Sequence, residues 1–282
     1  MSFESQSPSL DLRVLRGLTI GVIGAGTMGQ ALIGGLLAQG VPTRALRATD
    51  ASASMRNTVR RCFRIQVGDD NRHVVRTCDV VILAVKPQQF PELMTSIASG
   101  VTSSAFVISI AAGITLRWLQ ARLPKAAVVR VMPNLPATVG AGFSALAMGR
   151  RVTARQRQIA RALFAAVGET CELPESSFDT ITAVSGSGPA YVFYLVQIWQ
   201  EAARALGLPP TVASRAIAQT LAGSVRLLNA SVEPAAVLVS KVASKKGTTE
   251  AALKVLAKRR VAAHFAEALK AAARRSRQLS WS

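Results

Sequence analysis

Histidine, cysteine and aromatic residues are all scarce in this chain, and each scarcity removes a class of chemistry. Only two histidines occur, His73 and His264, so acid–base work near neutral pH has few of its usual carriers. His73 lies in a polar segment and His264 in a helical stretch, and structural roles suit both. The three cysteines, Cys62, Cys78 and Cys171, are far apart and odd in number, with no CxxC pair. They suggest neither a disulfide framework nor a metal site, and a reducing, cytoplasmic setting fits them best. Aromatics make up 5% of the residues, while alanine is abundant, which favours helices packed through small side chains. Acidic residues are few as well: 15 against 34 lysines and arginines, a formal net charge of +19. The excess is spread along the chain, with only short knots such as Lys258-Arg259-Arg260 and Arg274-Arg275. No aromatic cluster lies among the basic residues, as single-strand binding requires. The charge therefore reads as solvated surface that attracts anionic small molecules, with no specific nucleic-acid partner expected. No apolar run reaches membrane-spanning length, and the first sixteen residues lack the basic start and apolar core of a signal peptide. They read as a loose N-terminal extension, residues 1–16, of a soluble protein with no membrane partner.

What is present is apolar patterning in two styles. The 282 residues, half of them hydrophobic, are enough for one large or two medium domains. From residue 18 to about 148, short apolar runs alternate with helical segments. The runs at 18–23, 45–49, 64–67, 80–85, 106–110 and 128–132 predict strands buried on both faces, hence a mainly parallel sheet. Helices are expected at 28–39, 53–61, 71–77, 88–98 and 116–123. This is the order of a doubly wound α/β domain, residues 17–174. Beyond about Pro174 the strand signal stops, and residues 175–282 read as helices at 189–206, 211–229, 234–242, 248–257 and 261–278. Pro189, Pro210 and Pro234 stand where three of them begin, as the fixed φ of proline allows. These helices carry more apolar and alanine surface than a small bundle can bury alone. A second copy of the chain is the preferred cover, with packing on the first domain as the alternative.

Gly24-Ala25-Gly26-Thr27-Met28-Gly29 forms a GxGxxG after a strand and at the opening of a helix, the context that marks a Rossmann-type dinucleotide site. Gly24 permits the tight turn, Gly26 lets the backbone approach a pyrophosphate, and Gly29 lets the helix pack close to its strand. Without a ligand the motif is only a glycine-rich turn. Asp50 ends the second predicted strand, where an acid holds the ribose hydroxyls of NAD; equally, it fits a helix cap. Ser52 and Arg56 follow and suit a 2′-phosphate instead. Ligands bind beyond the carboxyl ends of such strands, which places Ala84, Val85, Lys86 and Pro87 beside the cofactor. Lys86 is otherwise a strand-end charge. Asn134 suits a nicotinamide amide or a turn before Pro136.

GAGTMG, DVVILAVKPQ, SIAAGI, VMPNLPATVGAG, AVSGSGPAYVF and SKKGTT occur in a fixed order, and the set resembles the pyrroline-5-carboxylate reductase family from Gly17 to Leu279. The resemblance implies a dinucleotide-binding domain taking NADPH or NADH, and an all-α dimerisation domain. It implies a homodimer or higher homo-oligomer, with the substrate 1-pyrroline-5-carboxylate bound near the dimer interface. It implies that Asn71 contacts the adenosine part, and that Ser185 and Ser187 of SGSGP belong to the site. Ser244, Gly247, Thr248 and Thr249 match the substrate loop, usually SPGGTT, and Thr249 matches the threonine whose hydroxyl meets the ring nitrogen.

The implied reaction, hydride transfer to a cyclic imine giving proline, needs stacked rings, a carboxylate site and a stabilised iminium more than a strong acid. The N–H groups opening the Thr248 helix suit the carboxylate. Thr249 is otherwise an ordinary first-turn residue, and Ser185 and Ser187 are otherwise helix caps, with Gly188 and Pro189 shaping a turn. The departure is Lys245-Lys246 in place of Pro-Gly. A positive φ at Lys246 costs on the order of 1 kcal/mol. The two cations favour a carboxylate, although a lysine too close opposes protonation of the imine. A reductase of another cyclic imine, or a dinucleotide-binding sensor without catalysis, are the competing readings.

Overall fold

The computed structural model describes residues 12–281. By its internal contacts the chain divides into two units, one of residues up to Ser187 together with those from Ala272 onward, the other Gly188–Ala271.

The first unit holds β1 (Ile20–Ile23), α1 (Thr27–Ala38), β2 (Leu46–Thr49), α2 (Ala53–Phe63), β3 (Gln66–Gly68), α3 (Asn71–Thr77), β4 (Val80–Leu83), α4 (Phe90–Ile97), β5 (Phe106–Ser109), α5 (Leu116–Arg122), β6 (Ala127–Met132), β7 (Gly142–Met148), α6 (Ala154–Ala165), β8 (Gly168–Glu172) and α7 (Phe178–Ile181). The sheet runs β3-β2-β1-β4-β5-β6-β7-β8. Its first six strands are parallel, β7 is antiparallel to β6, and β8 is parallel to β7. Every residue of β1, β4 and β5 is buried, as a sheet covered on both faces requires. Successive side chains serve opposite faces: Val80 and Ile82 of β4 join one apolar cluster, Val81 and Leu83 the other. Between β1 and β4 the strand order reverses, and the loops leaving their carboxyl ends diverge into a crevice.

The last residues pack with this unit. Trp281 donates its N–H to the Gly113 carbonyl at 2.8 Å, accepts from the Thr115 hydroxyl at 2.6 Å and sets its ring edge-on to Trp118 at 5.5 Å. Residues 1–11 of the expected extension lie outside the described residues. The remainder is not loose: Leu12–Leu15 forms a turn of 3-10 helix, and Leu15 is buried in the core.

The second unit comprises α8 (Gly188–Ala205), α9 (Pro210–Ala230), α10 (Ala235–Val242), α11 (Thr248–Lys258) and the start of α12 (Val261–Leu279). Pro210 opens α9 and Pro234 caps α10. No residue of α8, α10 or α11 is buried, and α9 buries only Ala213 and Ile217. Phe193 is 59% exposed and Leu227 58%.

β7, α6 and β8 escaped the sequence reading; by contacts the first unit runs on to Ser187. β7 is GFSALAM, without the β-branched side chains that mark strands. β8 is GETCE, polar because it lies at the sheet edge. α6 did carry a signal: Thr153 accepts from the Gln156 N–H at 3.2 Å, and Gln156 reaches back to the Thr153 N–H at 3.0 Å, a capping box.

Candidate functional site

The crevice between β1 and β4 is a cleft of about 420 Å³ whose lining includes Gly24, Gly26, Asp50, Asn71, Val85 and Lys86. Gly24 has φ +96°, and a Cβ there would stand 2.8 Å from the Ala84 carbonyl carbon and the Val85 nitrogen. Two chain segments therefore meet where only glycine fits. A Cβ on Gly29 would lie 2.2 Å from the Gly24 carbonyl oxygen, which fixes the close approach of α1 to its own turn. Gly26, by contrast, faces open space, with no atom within 4 Å of its missing Cβ. It caps α1 without any side-chain hydrogen bond, so the first N–H groups of the helix are left for an anion. This open, donor-rich turn fits a dinucleotide pyrophosphate.

Asp50 is already engaged. Its carboxylate accepts from the Ala25 N–H at 2.8 Å and from the Ser52 N–H at 2.9 Å, tying the end of β2 to the glycine turn. The cap of α2 is Ser52, which accepts from the Met55 N–H at 3.3 Å. Arg56 donates to the carbonyls of Asp50 and Ala51, both at 2.9 Å, and pairs with Asp69 at 3.3 Å. Asn71 accepts from the Thr49 hydroxyl at 2.6 Å, and Lys86 is exposed at the mouth, its N–H bonded to the Gln89 side chain at 3.1 Å.

A second arrangement lies in the helical unit. The Gly247 N–H donates to the Ser244 carbonyl at 3.0 Å, closing a turn with Lys246 at φ +61°. A negative φ at the first central residue and a positive one at the second are the marks of a type II turn, which Pro-Gly suits best. The turn survives Lys-Lys because Glu250 accepts the Lys246 N–H. Glu250 also pairs with Lys254 at 2.9 Å. Lys254, and then the Lys246 N–H, hold its carboxyl below the usual glutamate range. A Cβ on Gly247 would strike the Ser244 hydroxyl at 2.3 Å. Gly247 caps α11 without a side-chain bond, and the Thr249 hydroxyl has no hydrogen-bond partner among the described residues. The expected strain at Lys246 is present, and a carboxylate offsets it.

A third cluster joins β6 to the chain beyond β8. Arg130, 3% exposed, pairs with Glu175 at 2.8 Å and lies over the Phe178 ring at 4.7 Å. Glu175 also accepts from the Leu116 N–H at 2.6 Å, at the start of α5. Residues Thr182–Gly186 form a turn of π-helix, a rare element that recurs at functional sites. Asn134 donates to the Ser185 carbonyl at 3.3 Å and to its hydroxyl at 3.1 Å, and accepts from the Phe143 N–H at 2.8 Å.

Residues 175–279 match the family model described as pyrroline-5-carboxylate reductase dimerisation. Residues 19–113 match one described as NADP oxidoreductase, coenzyme F420-dependent. The pyrroline-5-carboxylate reductase of Pseudomonas aeruginosa is 42% identical over 264 residues, covering 93% of this chain and 96% of that protein. The chain belongs to the pyrroline-5-carboxylate reductase family. The solved reductase of Coxiella burnetii superposes with a TM-score of 0.88 at 33% identity, covering 94% of this chain and 99% of that one. A Plasmodium falciparum pyrroline carboxylate reductase with NADP bound gives 0.86 at 27%, covering 94% and 99%. The first unit is accordingly an NAD(P)-binding domain.

Within the reductase fold, the cleft gathers Gly24, Gly26, Asp50, Asn71, Ala84, Val85 and Lys86. Ala25, Thr27, Met28 and Gly29 complete the same turn, and Pro87 opens the 3-10 turn after Lys86. Ser52 and Asn134 are not among the cleft-lining residues; both hydrogen-bond within the chain. Ser185 and Ser187 are not side-chain helix caps. They lie where the π-turn runs on into α8, so Gly188 and Pro189 open a helix instead of a turn. Gln89, Glu92 and Ser96 also line the cleft. Sequence reasoning missed them because only the sheet order brings α4 and the turn before it to β1. Burial pushes the Cys78 and Cys171 thiols up, which makes both poor nucleophiles. Among the described residues no group of three or more His, Cys, Asp or Glu could hold a metal, and no helix is long and apolar enough to cross a membrane.

Proposed function

We propose that this chain is an NAD(P)H-dependent reductase of 1-pyrroline-5-carboxylate that yields proline, the last step of proline synthesis. The observation that carries the reading is the bare start of α11. It offers a helix N-terminus without a side-chain cap, an unpartnered Thr249 hydroxyl and three lysines against one carboxylate. The substrate is a cyclic imine bearing a carboxylate. The free N–H groups at Thr248 and Thr249 bind that carboxylate, helped by the helix dipole. Thr249 holds the ring nitrogen through its hydroxyl, and Ser244 and Gly247 complete this loop. Reduced nicotinamide, when bound, supplies the hydride for the imine carbon. The turn at Gly24–Gly29 and the strand end at Ala84–Pro87 hold the dinucleotide, with NADPH the preferred form and NADH an alternative.

The exposed apolar helices of the second unit are covered by a second copy of the chain. Patches of this extent are rare on monomers, and the dimerisation family model spans these helices. The free cysteines fit a reducing cytoplasm.

The test is the purified protein with NADPH and 1-pyrroline-5-carboxylate, followed by cofactor absorbance and by proline formation. Equal amounts of cofactor oxidised and proline formed are expected. No turnover at saturating concentrations sinks the reading. Turnover of a different cyclic imine alone favours a shifted specificity, for which Lys245-Lys246 is the one observation. Cofactor binding with no turnover of any imine leaves a sensor.

A further inference from the structure

Pro189 lacks an N–H, so the carbonyl four residues before it, that of Ser185, has lost its α-helical donor. Asn134 replaces that donor. Its amide nitrogen lies 3.3 Å from the Ser185 carbonyl oxygen and 3.1 Å from the Ser185 hydroxyl. The orientation of the amide is decided by a group that can only donate: the Phe143 N–H, 2.8 Å from the amide oxygen. The nitrogen must therefore face Ser185. Gly186 packs against the Met132 methyl, which lies 2.6 Å from where a Cβ would stand. The Arg130 pairing with Glu175 holds the start of the same segment from the same strand.

The consequence concerns a proton. A hydroxyl that accepts a hydrogen bond from Asn134 keeps its own hydrogen free to donate, and the Ser185 hydroxyl donates to no group among the described residues. Ser185 is half-buried, so an unused donor there is matched to a ligand that only accepts, such as a carboxylate. We infer that Asn134 is a positioning residue that orients the Ser185 hydroxyl as a donor to the carboxylate of the substrate, rather than a contact for the nicotinamide amide. This rests on the reductase reading above.

Asn134→Asp separates the possibilities. Its ionised carboxylate still accepts from Phe143 but cannot donate to Ser185, whose hydroxyl must then turn towards it. The KM for 1-pyrroline-5-carboxylate should rise roughly tenfold or more, the cost of a lost charge-assisted bond, while the Kd for NADPH changes less than about twofold. Protonating the new carboxyl restores a donor, so this KM should fall back towards that of the wild type as the pH drops. Ser185→Ala should raise KM alike, and the double variant should be no worse than either single one, as coupled residues behave. Asn134→Ala serves as a second variant, and thermal unfolding confirms that each folds. A wild-type protein without turnover defeats the reductase reading and this inference together. Wild-type turnover with an unchanged KM in Asn134→Asp, a KM that does not vary with pH beyond that of the wild type, or fully additive losses overturns the inference alone. So does a tenfold weaker NADPH, which would return Asn134 to the cofactor.

Discussion

Two turns in this molecule perform the same task with different residues. At the start of α1, Gly24 takes φ +96°, Gly26 caps the helix, and the Asp50 carboxylate accepts the Ala25 N–H. At the start of α11, Lys246 takes φ +61°, Gly247 caps the helix, and the Glu250 carboxylate accepts the Lys246 N–H. Both leave a helix N-terminus open to an anion, and both pin the preceding loop through a carboxylate on a backbone donor. They differ in what surrounds the left-handed residue. A Cβ on Gly24 meets backbone at 2.8 Å, whereas Lys246 is exposed. Glycine is therefore obligatory where space is the constraint. Where only φ is at stake, its absence costs about 1 kcal/mol, which a local hydrogen bond can offset.

The comparison is broken most severely by Gly24→Ala. Strain and overlap together should cost about 3 kcal/mol, read as lost stability in denaturant unfolding and roughly 100-fold weaker NADPH binding. A variant with unaltered cofactor affinity would remove the steric argument. Next in size is Thr249→Val, which keeps shape and deletes the hydroxyl. Loss of a hydrogen bond to a charged group predicts a fall in kcat/KM of roughly 10- to 100-fold, with NADPH affinity unchanged; an unchanged kcat/KM takes Thr249 out of the mechanism.

The smaller effects concern the second turn alone. The Glu250 carboxyl titrates below its ordinary 4.5 when folded. Its contribution is therefore fully present above that value and is lost as the pH falls through the lowered one. Thermal unfolding of Glu250→Gln should run closer to wild type at roughly pH 3 than at pH 6; parallel profiles would deny Glu250 its pairings with Lys254 and the Lys246 N–H. Lys246→Gly is the gentlest change. Relief of the left-handed residue, less the greater entropy glycine loses, should stabilise by about 0.5–1 kcal/mol and raise Tm by about 1–3 °C. A lower Tm would mean that the lysine side chain itself supports the loop.

Legibility in the sequence followed the same division. Gly24, Gly26 and Gly29 were readable because steric need leaves one residue type and a fixed spacing. The parallel strands were readable because burial on both faces demands continuous apolar runs, as in VVIL of β4. The turn at Lys246 was readable only as a departure from a family pattern, and the compensating Glu250 was not anticipated, since a glutamate in a first helical turn has many uses. β7 and β8 were hidden by small and polar residues. The link from Asn134 to Ser185 spans fifty-one positions and became visible only once β6 and the π-turn were placed side by side. The Asp50 carboxylate also grips the glycine turn, and nothing local to residue 50 announces a partner in the turn after β1.

The helical unit, with Phe193, Tyr194 and Val255 each more than half exposed, carries a further consequence. If its apolar faces are covered only when two chains meet, dilution acts on this protein as a denaturant does. Its melting temperature becomes a function of how much protein is present, rising with the logarithm of concentration.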